Sequence, residues 1–111
     1  MIHPEVAKHL PEIRSLCRTH QISKLWLFGS ALRADFGPES DVDFLYELAE
    51  GFPKGRAYLD TYFGFIEKLE ALFGKEVDMV WYEGIQNPYL KEEVDENKVL
   101  IYDKESEKVF I

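Results

Sequence analysis

The sequence predicts a small α/β fold in which helices flank a mixed β-sheet. Two long segments repeat their apolar residues at helical spacing, and short apolar runs between them are bounded by glycine and proline. The 46% hydrophobic and 14% aromatic content is enough for a real core. The resulting order of helices and strands is typical of this fold class, and we expect residues 1–111 to form a single domain.

The first elements are a helix and two strands. His3-Pro4 begins the helix, because proline is well tolerated in a first helical turn. The apolar run KLWLF, residues 24–28, predicts a buried strand that ends at Gly29-Ser30. The turn-rich segment 33–40 then leads into a second strand over residues 41–47.

Helices and strands alternate in the second half as well. Helical spacing predicts a helix over residues 56–73, for which Gly74 is a good C-terminal stop. Asn87-Pro88 combines a capping residue with a first-turn proline and begins another helix, which runs to about residue 97. The predicted strands cover residues 76–82 and 99–103, and we expect the tail, residues 104–111, to be mobile.

The charge balance excludes several kinds of partner. The net charge is −8, and residues 34–111 carry eight Lys/Arg against nineteen Asp/Glu. Because tight binding to a phosphate backbone needs clustered basic residues, we expect no direct nucleic-acid binding. No apolar run is long enough to span a membrane, and no secretory signal is visible. With Cys17 as the single cysteine, these features indicate a cytoplasmic protein.

Acidic residues interrupt two of the predicted strands. Asp41 and Asp43 are two residues apart, so that strand alternation places them on one face about 7 Å apart. Asp78 interrupts the strand EVDMV in the same way. If these two strands pair, the three carboxylates converge.

Such a cluster requires compensation. Two like charges ~5 Å apart repel by roughly 3 kcal/mol at an effective dielectric constant of ~20. Three unrelieved acids would therefore consume much of the ~5–15 kcal/mol that stabilises a small domain. Carboxylate oxygens with open positions suit Mg²⁺, and paired ions of this kind promote phosphoryl or nucleotidyl transfer. A solvated strand end explains any one of these acids, but the combination favours a site for Mg²⁺; the family resemblance described below implies two such ions.

Gly29-Ser30 supplies a complementary feature. A glycine after a strand lets the backbone approach a ligand closely, and a serine that opens a short helix offers hydroxyl and N–H groups to an anion. Arg33 lies one turn further on and adds a positive charge. This pattern predicts a phosphate-binding turn beside the acids.

Together these motifs resemble the signature of the DNA polymerase beta-like nucleotidyltransferase superfamily, and most closely its minimal nucleotidyltransferase (MNT) branch. The matching residues are Gly29-Ser30, Arg33, Ser40-Asp41-Val42-Asp43 and Val77-Asp78. The resemblance extends over nearly the whole chain. It implies a mixed sheet with flanking helices and metal-dependent transfer of a nucleotidyl group from a nucleoside triphosphate to a hydroxyl group.

The resemblance also implies a role for each matched residue. Asp41 and Asp43 match the paired metal-binding acids, and Asp78 matches the third carboxylate, which helps to deprotonate the acceptor hydroxyl. Gly29-Ser30 matches the turn that holds the triphosphate. One departure follows the motif arginine, where relatives usually have glycine and this chain has Ala34-Asp35.

The family resemblance finally suggests a partner. MNT proteins are commonly paired with HEPN-domain toxins, which they neutralise as antitoxins by transferring AMP from ATP onto a toxin tyrosine. Two alternatives stay open from the sequence, namely an antitoxin that acts by binding alone and a nucleotidyltransferase for small molecules. Self-association also stays open.

Overall fold

The computed structural model describes residues 2–33 and 36–109, with side chains to residue 106. Its helices are α1 (Pro4–Ala7), α2 (Leu10–Thr19), α3 (Arg56–Phe73), α4 (Pro88–Asn97) and α5 (Lys104–Val109). Its strands are β1 (Ile22–Phe28), β2 (Val42–Leu48), β3 (Val77–Trp81) and β4 (Val99–Asp103). Short 3-10 turns cover Gly29–Leu32 and Tyr82–Gly84.

The four strands form one mixed sheet in the order β3-β2-β1-β4. Strand β1 is antiparallel to both of its neighbours, whereas β2 and β3 run parallel. A parallel pair needs a long crossover connection, which α3 supplies. The mixed sheet with flanking helices confirms the predicted fold class.

The sheet buries its two faces unequally. Helices α2 and α3 cover one face with a large apolar core, and α4 covers part of the other face. The large core includes Ile13, Leu25, Leu27, Phe44, Phe65 and Leu69, and the smaller cluster consists of Trp26, Leu45 and Val94. Because side chains alternate along a strand, Phe44 and Leu45 enter different cores.

Two of the predicted helices form where the local sequence directs them. Helix α3 ends at Gly74, whose backbone has a φ of 66° and donates a hydrogen bond to the Glu70 carbonyl. Asn87 caps α4, since its side-chain oxygen accepts hydrogen bonds from the N–H groups of Tyr89 and Leu90 at 2.9 and 3.3 Å. These two predictions are confirmed.

The N-terminal helix differs from the prediction because it is divided into α1 and α2. Pro11 lies in the first turn of α2, where its missing N–H is tolerated. In a continuous helix the same proline would leave the Ala7 carbonyl without its donor and would clash with it. The break therefore follows from one residue that the apolar spacing does not reveal.

In the C-terminal tail, residues 104–109 form the helix α5, and residues 110–111 lie outside the described residues. The carboxylate of Asp103 accepts a hydrogen bond from the Glu105 N–H at 2.9 Å, which stabilises the start of this helix.

Across the part of the chain that the structure describes, none of the helices has the length and apolar character that a membrane crossing requires.

Candidate functional site

The structure brings two of the predicted acids side by side. Asp43 and Asp78 are register partners in the parallel pair of β2 and β3. Neighbouring strands lie about 4.8 Å apart, so the two carboxylates project from adjacent positions on the same face. This is the face that also carries Leu45 and α4, opposite the large core. The strand pairing that the sequence argument required is therefore present.

The electrostatics of Asp43 reflect this crowding. The pKa of its carboxyl group is raised, first because the group is partly buried and then because of the negative charges of Asp78 and Asp41. The positive charge of Arg33 acts in the opposite direction. The site thus concentrates negative charge that a bound cation would relieve.

Gly29 brings the backbone against this carboxylate. Its φ of 75° lies in the left-handed region, and a Cβ atom at this position would overlap the Oδ2 atom of Asp43. Only glycine satisfies both requirements without strain. The turn after β1 is therefore built around the Asp43 side chain.

Ser30 links the same turn to the beginning of β2. Its hydroxyl group donates a hydrogen bond to the carbonyl oxygen of Asp41 at 3.1 Å. The Arg33 N–H in turn donates to the Ser30 carbonyl at 2.9 Å and closes the 3-10 turn. The hydroxyl group that the sequence analysis assigned to an anion thus has a partner within the chain. The departure at Ala34-Asp35 lies outside the described residues.

Asp41 lies one residue before β2 rather than within the predicted strand. Strand β2 begins at Val42, so Asp41 lies in the preceding loop and is exposed. Its charge reaches Asp43, but the described residues contain no group of three or more His, Cys, Asp or Glu side chains placed to hold a metal ion. The structure therefore assembles the Asp43–Asp78 pair and leaves Asp41 beside it.

A groove of about 410 Å³ adjoins the Gly29 side of the acids. It is bounded by the end of β1, by the following turn with Arg33, and by α4. The α4 residues that line it are Leu90, Glu93, Val94 and Asn97. This groove was not predicted from the sequence, although the spacing of these four residues places them on one helix face. What that face packs against depends on tertiary structure.

Comparisons with known proteins agree with this arrangement. The family described as "Nucleotidyltransferase domain" matches residues 10–101. A protein of Methanocaldococcus jannaschii that is provisionally named a protein adenylyltransferase is 32% identical over 103 residues, which cover 85% of this chain and 99% of that relative. Two further proteins of the same organism, with the same provisional name, are 29% and 28% identical.

Solved structures share the fold. One, described provisionally as a minimal nucleotidyltransferase, has a TM-score of 0.69 and 28% identity and covers 89% of this chain and 95% of its own. A chain of a toxin-antitoxin complex with AMP-PNP has a TM-score of 0.64 and 18% identity, covering 91% and 79%. A chain from the complex of a tri-AMPylated Shewanella oneidensis HEPN toxin with its MNT antitoxin has a TM-score of 0.59 and 16% identity, covering 94% and 77%.

Proposed function

Since this chain belongs to the nucleotidyltransferase domain family, we propose that it transfers AMP from ATP onto a tyrosine hydroxyl group of a partner HEPN toxin and acts as its antitoxin in the cytoplasm. The observation that carries this proposal is the register pairing of Asp43 with Asp78 beside the Gly29 turn. The provisional names of the relatives support AMP as the transferred group. The AMPylated toxin in a structural neighbour supports a HEPN toxin as the acceptor protein.

The residues present fit Mg²⁺. The carboxylates of Asp43 and Asp78 are register neighbours on one sheet face, and carboxylate oxygens are the ligands that this ion prefers. We assign Asp43 and Asp78 as ligands, with Asp41 joining them from the loop before β2. When bound, Mg²⁺ supplies charge neutralisation for the phosphates and for the attacking oxygen.

Other groups of the chain bind the nucleotide and accept the proton of the acceptor hydroxyl. The backbone of Gly29 and Ser30 faces the triphosphate, and Arg33 offsets its charge. The groove between this turn and α4 has the volume that small-ligand sites typically show, and we assign it to the nucleoside. Asp78 accepts the proton of the acceptor hydroxyl. The tyrosine oxygen then bonds to the α-phosphorus, the bond to the bridging oxygen breaks, and pyrophosphate leaves.

The decisive experiment is to co-purify the chain with the HEPN toxin and to measure the intact mass of the toxin after incubation with ATP and Mg²⁺. We expect one or more AMP increments with the wild-type chain and none with Asp41→Asn/Asp43→Asn. Asp60→Asn is the matched control, because Asp60 is an exposed aspartate of α3 outside the site. Increments that persist in the double variant would refute the assignment of the acids.

The same experiment separates the two alternatives. An antitoxin that acts by binding alone would leave the toxin mass unchanged, and the double variant would still form the complex and protect cells. A small-molecule enzyme would also leave the toxin unmodified, but it would attach AMP to an added free aminoglycoside.

A further inference from the structure

A second pocket, of about 320 Å³, lies at the opposite end of β2 and β3 from the acid pair. Its lining residues are Tyr46, Glu47, Leu48, Tyr58, Trp81 and Glu83. Glu47 follows Asp43 by four residues, which corresponds to about 13 Å along a strand. None of the residues assigned to nucleotidyl transfer lines this pocket, so it is a separate feature of the fold.

Aromatic rings form the walls of this pocket. Tyr46 and Trp81 are register partners, so their rings project from adjacent strand positions toward α3. Tyr58 stacks on Tyr62 with 6.0 Å between ring centroids, and Tyr62 in turn lies 5.6 Å from Tyr46. Trp81 is 51% exposed, which leaves much of a large aromatic side chain in contact with water. Ring faces of this kind attract cations.

The turn after β3 holds the indole in place. A Cβ atom at Gly84 would lie 2.7 Å from Cε3 of Trp81, so the glycine backbone packs directly against the edge of the ring. Any side chain at residue 84 would push the indole from its position. The exposed ring is therefore positioned by the fold, as a binding surface must be.

Two glutamates line the pocket, but they lie on different faces of the sheet. Glu83 follows Trp81 by two residues in the turn after β3, whereas Glu47 lies on the sheet face of Asp43 and α4, opposite Lys24 of β1. Lys91 interacts electrostatically with Glu47, but its Nζ lies 4.1 Å from the centroid of the Tyr82 ring and it does not line the pocket. An aromatic face next to the Glu83 carboxylate favours a ligand that is both cationic and able to donate hydrogen bonds.

We propose that this pocket binds a guanidinium group, which stacks on Trp81 and donates hydrogen bonds to the Glu83 carboxylate. Guanidinium is planar, weakly hydrated and rich in N–H donors, and it matches carboxylates in a forked geometry. A quaternary ammonium ion lacks donors, and a primary ammonium ion is more strongly hydrated. The group belongs either to an arginine of a partner protein or to a free guanidine compound. This inference stands independently of nucleotidyl transfer.

The test is a titration of the ¹⁵N-labelled full chain with methylguanidinium at constant ionic strength. The indole N–H of Trp81 should shift with saturation at a Kd on the order of millimolar, as is usual for so small a ligand. Trp26 is an internal control, because it is only 8% exposed and belongs to the cluster on the other face of the sheet. Methylurea, the neutral isostere, and tetramethylammonium should bind at least about ten-fold more weakly.

Variants identify the pocket as the site. Trp81→Ala should abolish saturable shifts of the Glu47 and Leu48 amides, and Gly84→Ala should weaken binding by displacing the indole. Glu83→Gln should weaken it about three- to ten-fold. Glu92→Gln is the matched control, since Glu92 is an exposed glutamate of α4 that lines neither pocket. Retained binding in a folded Trp81→Ala protein, or equal binding of methylurea, would overturn the proposal.

A further arm distinguishes the source of the group. N-acetyl-arginine N-methylamide presents the side chain as a protein does. If it binds at least as tightly as methylguanidinium, the pocket accepts an arginine of a partner protein. If it binds more than about ten-fold more weakly, the pocket accepts a free guanidine compound.

Discussion

The two ends of the parallel pair β2–β3 use one geometry for different purposes. At the start of the pair, Asp43 faces Asp78, and at its end, Tyr46 faces Trp81. The two pairs are three residues apart and therefore lie on opposite faces of the sheet. The acid pair has like charges and a glycine backbone pressed against it, whereas the aromatic pair leaves a large ring exposed. Neither the paired like charges at one end nor the exposed ring at the other is favoured by packing alone.

The largest expected effect is on catalysis at the acid end. Asp43→Asn keeps the shape of the side chain but removes the charge that the site uses, so the rate of AMP transfer should fall on the order of 100-fold or more. Rates of labelled AMP incorporation into the toxin measure this effect. Asp60→Asn should retain the wild-type rate, and an equal loss in both variants would point to general destabilisation.

Gly29→Ala should damage the acid end structurally. The new Cβ atom overlaps the Asp43 carboxylate in a backbone conformation that alanine avoids, at a cost of about 2 kcal/mol in the free energy of unfolding. Urea denaturation measures this cost. Gly64→Ala is the matched control, because nothing lies within 4 Å of its added Cβ. As a substitution inside α3, it should stabilise the protein by about 0.5–1 kcal/mol. A neutral effect of Gly29→Ala would contradict the described contact.

The raised pKa of Asp43 predicts a pH dependence of stability. In the folded state this group holds its proton to a higher pH than in the unfolded state, so its ionisation destabilises the fold as the pH rises from the ordinary aspartate pKa of 3.8 through the raised pKa. Asp43→Asn removes this penalty and should stabilise the protein at neutral pH by about 0.5 kcal/mol, a value reduced for solvent screening.

Thermal unfolding of both proteins from about pH 4 to about pH 7 tests this sign, because the difference between their curves isolates Asp43. The variant should gain stability relative to the wild type as the pH rises. Added Mg²⁺ should raise the Tm of the wild type more than that of the variant. A variant that is less stable than the wild type at neutral pH would contradict the raised pKa of Asp43.

The smallest effect on AMP transfer is expected at the aromatic end. Trp81→Ala removes a half-exposed ring, so the free energy of unfolding should change by less than about 1.5 kcal/mol. AMP transfer should stay within about two-fold of the wild type, because no residue of this pocket belongs to the acid site. A large loss of AMP transfer in this variant would show that the two ends act as one site.

Capping and stop residues correctly predicted the helix ends that they determine. Gly74 and Asn87-Pro88 act within one helical turn, and both helix ends lie where these residues indicate. The sequence predicted that Asp43 and Asp78 converge only if their strands pair. Alternation determines the face on which a side chain lies, but it does not determine which strand is the neighbour. The structure supplies the pairing through the α3 crossover.

What the sequence could not supply depends on tertiary contacts. The sequence predicted a strand that begins at Asp41, yet β2 begins one residue later. A strand ends where its hydrogen-bond partners on the neighbouring strand end, and these partners are not visible in the sequence. The groove at α4 and the pocket at Trp81 combine residues that are distant in the chain. Neither follows from periodicity, which gives the face of an element but not what it packs against.

The most direct test of the acid pair is a double-mutant cycle of Asp43→Asn and Asp78→Asn, read as the rate of AMP transfer to the co-purified HEPN toxin. If the two carboxylates hold one cation and serve one transfer step, the double variant should lose little more activity than the more damaging single variant. Losses that multiply would show that the two acids act independently, and they would contradict the shared site.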